Sequence, residues 1–328
     1  MTKLQSDGTG SLNILFTCIG RRVSLLRSFR RAAKQLKIKA LLFGTDTTGL
    51  SSALQLCDEK YIVKQIGHPD YLKRLLQIVK QNGVKLLVPT IDTDLLLLAK
   101  NKKKFAGLGC QVLVSEPGVI EVCQDKRKTH RFLVKNSFDS PVTMSATTAL
   151  SRSRLNWPCF LKPWDGYASR GNVIVNNRRE LLFFAKRIPN CIVQEFIEGT
   201  EHTCDVYVDF TMKVRCVVPR KRIEVRAGEV SKGQVVKHPH IISEAARLVE
   251  ILGAGPGVIT LQLFLTDDRV KFIEINPRFG GGVPLSIRAG ANFPKWILQQ
   301  LLGRKTNIRF DSFKDNLVML RYDGEVWM

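Results

Sequence analysis

Short apolar runs alternate with helically spaced apolar residues through the first third of the chain, and then the alternation stops. Asn13–Ile19 is an apolar run that ends at Gly20. From there apolar side chains recur at Val23, Leu26, Phe29, Ala33 and Leu36, the period of a helix. Lys39–Gly44, Tyr61–Val63, Lys85–Pro89 and Gln111–Ser115 repeat the strand signature. Helices are expected between them, one N-capped by Asp70 and another over Asp92–Lys104. Strands separated by helices pair in parallel through right-handed crossovers. Residues 11–115 are therefore expected to form a Rossmann-like parallel-sheet domain, and the polar residues 1–10 a disordered N-terminus.

The grammar changes at Glu116. A helix over Pro117–Asn136 precedes the strand Trp157–Pro163, and the loop Trp164–Gly171 turns straight into Asn172–Val175. That is a hairpin rather than a crossover. Cys191–Phe196, Thr203–Phe210, Val214–Pro219, Arg222–Arg226, Gly257–Leu265, Val270–Ile275 and Asn316–Tyr322 read as further strands. Strands in succession pair antiparallel. The fold class is thus α/β plus α+β. The parallel-sheet domain is followed by a small α+β subdomain with a linker helix (116–190) and a larger one (191–328).

Lys and Arg number 51 against 29 Asp and Glu, a net charge of +22. No tail carries the excess, so the whole surface attracts anions and leaves an anionic ligand or a nucleic acid open as partner. Aromatic residues interleaved with basic ones, which RNA readers use, are not evident. A homodimer is open as well. The eight cysteines form no C-x-x-C pair and no zinc spacing, and several lie inside apolar runs. They read as core residues of a reducing compartment. No apolar stretch reaches the ~20 residues of a membrane span, so a cytoplasmic protein is expected. The first strand–helix turn lacks G-x-G-x-x-G, which disfavours NAD.

Four segments carry candidate chemistry. In Glu274-Ile275-Asn276-Pro277-Arg278, strand alternation puts Glu274 and Asn276 on one face. A carboxylate and an amide oxygen there are hard ligands for Mg²⁺, and Gln262 on the preceding strand supplies a third oxygen if the two strands pair. Arg278 lies where a cation can stabilise a transferring phosphoryl group, and Gly280-Gly281-Gly282 lets backbone approach a ligand. Lys162 ends a strand before a loop holding Gly166, Ser169, Arg170 and Gly171, a set suited to phosphates although no Walker A motif. The backbone of Glu195–Ile197 offers an adenine edge its hydrogen bonds, with Phe196 or Ile197 as the apolar slot, and Glu201 can accept from ribose. Asp125-Lys126-Arg127-Lys128-Thr129 places cations early in a helix, where the dipole opposes them unless an anion binds. Taken singly, each segment also reads as an ordinary hairpin or solvated surface.

In this order, D-K-x-x-T, K-P-x-x-G-x-x-S-R-G, Q-E-F-I-E-G-x-E, L-Q and E-I-N-P-R-F-G-G-G resemble the ATP-grasp superfamily. Within it they are similar to single-chain proteins like the carbamoyl-phosphate synthetase large subunit. Thr17–Arg22, Val88–Asp94 and Met319–Tyr322 resemble that group's preceding domain and last strand. The resemblance implies two ATP-grasp subdomains, ATP as cofactor, and Mg²⁺ or Mn²⁺. It implies that Lys126 and Lys162 contact ATP phosphates, that Glu195 and Ile197 bracket adenine, and that Glu201 faces ribose. Gln262, Glu274 and Asn276 would bind metal, Arg278 would stabilise an acylphosphate, and Trp164–Gly171 would close as a lid. Gln262 stands where many relatives have glutamate, which weakens the outer metal position.

Gly20, Arg21, Arg22 and Asp92, at strand ends of the parallel sheet, are candidates for the acceptor. Arg220, Arg222, Arg226 and Glu229 form a second candidate cluster, in which alternation puts Arg220 and Arg222 on one face. Salt bridging is the plain alternative for both. The implied reaction joins a small-molecule carboxylate to an amine with release of ADP and phosphate. A kinase or carbamoyl-phosphate-type enzyme, or a non-enzymatic ATP- or nucleic-acid-binding module, remains the alternative.

Overall fold

The computed structural model describes residues 12–166, 171–267 and 269–328; the expected N-terminal disorder lies outside them. The first sheet is parallel, in the order β3-β2-β1-β4-β5, built from β1 (Asn13–Thr17), β2 (Leu42–Asp46), β3 (Glu59–Ile62), β4 (Val84–Pro89) and β5 (Gln111–Val112). The helix Val23–Gln35 covers it with Leu25, Leu26, Phe29, Ala32 and Ala33. Phe29 meets both Phe16 on β1 (5.1 Å between ring centroids) and Phe279 far along the chain (5.9 Å). One apolar core therefore spans the parallel sheet and the last third of the chain.

A second sheet is antiparallel, in the order β6-β9-β7-β8, from β6 (Thr143–Ser145), β7 (Cys159–Pro163), β8 (Val173–Val175) and β9 (Cys191–Glu195). The expected boundary at residue 190 falls inside this sheet. Cys191–Glu195 pairs with Cys159–Pro163, and Val193 packs with Leu161 and Val175 in one core. The third sheet runs β14-β13-β10-β11-β12-β15, from β10 (Thr200–Val208), β11 (Val214–Arg226), β12 (Glu229–Val235), β13 (Gly257–Thr266), β14 (Arg269–Asn276) and β15 (Val318–Leu320).

Two expected helices are each two. Pro117–Gln124 and Lys126–Lys135 are separated by Asp125, which is extended (φ −114°, ψ 108°) and whose carboxylate caps the second helix by accepting from the Arg127 backbone N–H at 2.9 Å. Lys126, Arg127 and Lys128 thus occupy a true first turn. Leu95–Lys100 and Lys102–Gly107 replace Asp92–Lys104, broken at Asn101. The strand expected at Arg222–Arg226 continues β11 unbroken from Val214. No helix among the described residues is long and apolar enough to cross a membrane.

Asp94, after β4, is fully buried. Thr17 Oγ1 and Tyr71 Oη donate to its Oδ2 (2.6 and 3.3 Å), while Oδ1 has no hydrogen-bond partner among the described residues. Burial pushes its pKa up from 3.8 to about 6, against those hydrogen bonds. The folded chain therefore binds the proton more tightly than the unfolded chain, and stability falls as pH rises from about 4 to about 6. Asp94→Asn keeps an acceptor for both hydroxyls and removes the charge. It is expected to stabilise the protein by about 2–3 kcal/mol above pH 6 and to have little effect near pH 4. Thermal unfolding at the two pH values checks this.

Candidate active site

The small sheet, the helix Lys126–Lys135, the large sheet and the ends of the parallel strands enclose a cleft of about 1380 Å³. On one wall β13 and β14 pair with Gln262 opposite Glu274 and Thr260 opposite Asn276, and all four line the cleft. On the other wall Lys162, 5% exposed, ends β7. Its ammonium meets no hydrogen-bond acceptor among the described residues. Burial lowers its pKa to about 8, opposed by Glu274 and Glu201 and reinforced by Lys126. Lys126 donates through Nζ to the Gly166 carbonyl, and its backbone N–H bonds the Trp164 carbonyl at 3.0 Å. The first turn of its helix is thereby fastened to the β7–β8 loop. Ser169 and its neighbours 167–170 lie outside the described residues, and with them much of the expected lid.

Glu195, Phe196 and Ile197 line the cleft after β9. The Glu195 carboxylate is engaged elsewhere, with Lys271 Nζ at 2.8 Å and the Val142 N–H at 3.2 Å, so the segment offers the cleft its backbone. Glu201 accepts from Gln262 Nε2 and lies 3.3 Å from Arg222 Nε. The Gln262 oxygen is left for another partner.

Arg278 crosses to the parallel sheet. Its Nη2 and Nε donate to Asp92 Oδ2 (2.6 and 3.2 Å), and Nη2 also reaches Asn276 Oδ1 at 3.1 Å. Burial disfavours its charge, but Asp92, then Glu274 and Glu229, outweigh burial and raise its pKa. Beside it, Arg22 lies 3.6 Å from Glu229. Burial and Arg278 bring its pKa down to about 10 despite Glu229. Glu229 is also held by Arg321 Nη1 at 3.0 Å, and Arg321 Nη2 donates to the Gly281 carbonyl. A Cβ on Gly281 would stand 2.9 Å from the Glu229 carboxylate and 3.0 Å from Arg22 Nη1, so a side chain there would push the Glu229–Arg22 pair aside.

Of the acceptor candidates, Arg22, Asp92, Arg220 and Arg222 line the cleft, and Gly20, Arg21 and Arg226 do not. Gly20 turns away at φ +47° and lines a separate 360 Å³ pocket, its N–H on Asp46 Oδ2 at 2.9 Å. Arg21, on the same turn, is exposed and absent from the lining. Arg220 is 1% exposed and spent on Asp205, with Nε–Oδ2 2.8 Å and Nη2–Oδ1 3.0 Å. Arg226 lies outside the lining, its side chain 65% exposed and paired with Asp323 at 2.6 Å. Arg220 and Arg222 both line the cleft, as alternation has it, and the register shifts between Arg222 and Val225 affect only the approach to Arg226. Thr203 escapes sequence reading, and Arg321 enters it only through the resemblance of Met319–Tyr322 to a last strand. Thr203 Oγ1 and Arg222 Nε are buried at the cleft without a hydrogen-bond partner among the described residues, and no local motif marks Thr203.

The donor set suits a hard cation. The Glu274 carboxylate, with no hydrogen-bond partner among the described residues, shares one face with two amide oxygens. No group of three His, Cys, Asp or Glu that could hold a softer metal is found among the described residues. Asn276 must release Arg278 in part to join it.

Residues 14–113 match the family model described as the PylC-like N-terminal domain, and residues 123–282 the ATP-grasp domain. The carbamoyl phosphate synthase large chain of Campylobacter jejuni is 21% identical over 287 residues, 79% of this chain and 25% of that one. This chain therefore spans about a quarter of that relative's length. The D-alanine–D-alanine ligase of Fusobacterium nucleatum is 22% identical over 268 residues, 78% of this chain and 88% of that one. Among solved structures, the N5-carboxyaminoimidazole synthetase of Staphylococcus aureus with ADP has a TM-score of 0.71 at 16% identity, covering 98% of this chain and 82% of that one. The L-amino acid ligase of Bacillus licheniformis has a TM-score of 0.67 at 21% identity, covering 89% and 74%. These likenesses establish a shared fold. The chain thus carries an ATP-grasp domain over residues 123–282, behind a PylC-like N-terminal domain over residues 14–113.

Proposed function

We propose that the chain is an ATP-dependent carboxylate–amine ligase. One observation carries the reading: a buried Lys162 ammonium shares a cleft with the Glu274 carboxylate, and among the described residues the first has no acceptor and the second no donor. A triphosphate and its cation would complete both. In this reading Lys126 and Lys162 hold the phosphates, the Glu195–Ile197 backbone holds adenine beside Phe196, and Glu201 meets ribose. Gln262, Glu274 and Asn276 would hold Mg²⁺, or Mn²⁺ in its place, which when bound neutralises triphosphate charge. The acceptor carboxylate lies between Arg22, Arg222 and Arg278 and attacks the γ-phosphorus. The acylphosphate is then opened by an amine, forming the C–N bond and releasing phosphate. Positioning and charge neutralisation supply most of the rate.

Adding amino acids, amines, bicarbonate and acidic metabolites while following ADP release, with mass spectrometry of products, tests the assignment. ADP with an amide supports it. ADP with a phosphorylated acceptor reassigns the chain to a kinase or carbamoyl-phosphate-type enzyme, and nucleotide binding without turnover to a sensor. Lys162→Met is expected to weaken ATP binding by about 10- to 100-fold, the worth of one charged hydrogen bond. Unchanged affinity in calorimetry removes Lys162 from the phosphates. The D-alanine and L-amino acid ligase relatives favour amino acids among the acceptors to try first. All eight cysteines are free and at least half-buried, and we place the protein in the cytoplasm on that ground.

A further inference from the structure

No Asp or Glu occurs between Asp7 and Asp46, or between Glu274 and Asp311. The fold lays these two acid-free stretches side by side. The helix Val23–Gln35 packs on the helix Phe293–Leu301, Asn292 Nδ2 donates to Gln35 Oε1 at 3.1 Å, and Arg304 Nη1 donates to the Leu36 carbonyl at 3.1 Å. On the first helix Arg27, Arg30, Arg31 and Lys34 are exposed at i, i+3, i+4 and i+7, one arc opposite the buried residues. Arg304 reaches the end of that helix at the Leu36 carbonyl, and Lys305 and Arg309 are exposed in the segment that follows Arg304. Among the described residues only Arg30 of these seven meets a carboxylate, Asp58 at 3.0 Å. Dispersed surface charge of a basic protein carries acids among its bases; here Asp58 against Arg30 and Asp311 beside Phe310 are the acids set against seven cations.

We propose that this face docks on an anionic lipid bilayer. A row of unpaired cations is drawn to any polyanion. What singles out a bilayer is the apolar rim: Leu302 (37% exposed) and Phe310 (41%) flank Arg304, Lys305 and Arg309. A bilayer interface takes up aliphatic and aromatic side chains beside basic ones, whereas a phosphodiester backbone gives a leucine no partner. The stacking platforms of single-strand binders are missing from the described part of this face. None of these residues lines the candidate active site, so the proposal stands apart from the ligase reading.

The test is flotation of the full chain with phosphatidylcholine vesicles and with the same vesicles containing phosphatidylglycerol. Binding is expected only to the anionic vesicles, weakening with salt. Each Lys or Arg at such a surface contributes about fivefold. The charge reversals Arg31→Glu, Lys34→Glu and Lys305→Glu together are then expected to lower partitioning by at least about 100-fold, with ATP binding unchanged. Phe310→Ser is expected to weaken vesicle binding several-fold and to leave binding to RNA unaltered. Equal binding to both vesicles, or full binding by the triple variant, overturns the proposal. So does RNA binding that vesicles cannot displace and that the triple variant abolishes, which would assign the face to nucleic acid. The exposed sites leave the fold intact, which thermal unfolding verifies.

Discussion

Arg278→Ala is expected to slow ATP-dependent turnover by about 10²-fold or more, the scale of losing one major charge-stabilising group at a reacting centre, while nucleotide binding is largely retained. The guanidinium is held by Asp92, Asn276 and the Phe279 carbonyl, and in the proposed reaction Asp92 would keep it in place while Asn276 turns to the metal. Arg278→Lys keeps a cation but loses the planar fork and should recover only part of the rate. Asp92→Asn leaves the cation and removes its principal clamp, and about a tenfold loss in kcat with little change in ATP affinity is expected, a fraction of the full loss. Steady-state ADP release together with nucleotide affinity separates these cases. Near-normal turnover in Arg278→Ala would remove the residue from the chemistry.

The largest loss of stability is expected from Asp205→Ala. Asp205 is fully buried and accepts two bonds from Arg220, one from Ser286 (2.6 Å) and one from Thr260 (3.1 Å). Alanine leaves a guanidinium that is 1% exposed without its counter-charge. Stranding a buried ion costs about 3–5 kcal/mol, or a melting temperature lower by about 10 °C for a unit of this size. The glycine run makes the pair sterically obligatory as well: a Cβ on Gly282 would collide with the Arg220 guanidinium. Asp205→Ala combined with Arg220→Met should regain more than half of the loss, since an apolar pair of similar volume strands no charge. A loss below about 1 kcal/mol in the single variant would show that water reaches Arg220.

What could be read from the sequence followed from local periodicity. Alternation put Glu274 and Asn276 on one face, and the structure pairs Glu274 with Gln262. Alternating strands and helices gave the parallel sheet. The failures share a cause, which is that partner choice is not local. Nothing near Cys191–Glu195 says that it joins β7 rather than β10. A helical apolar pattern runs through Asp125 because both helices bury residues in step, although the backbone breaks between them. Arg226 left its expected group because β11 bulges, and a bulge is invisible to counting by twos. Glu229 and Arg321 meet across 92 residues, and Arg220, although it lines the cleft, is bound by an aspartate on the adjoining strand.

Asp92 and Arg278 are separated by 186 residues yet share one hydrogen-bonded contact. The chain changes architecture near residue 115, and a protein engineer would cut there to exchange front halves between relatives. Such a graft would inherit its nucleotide cradle intact and its key guanidinium without a tether. Hybrids of this kind should therefore succeed only when the tip of the fourth strand travels with the rear half.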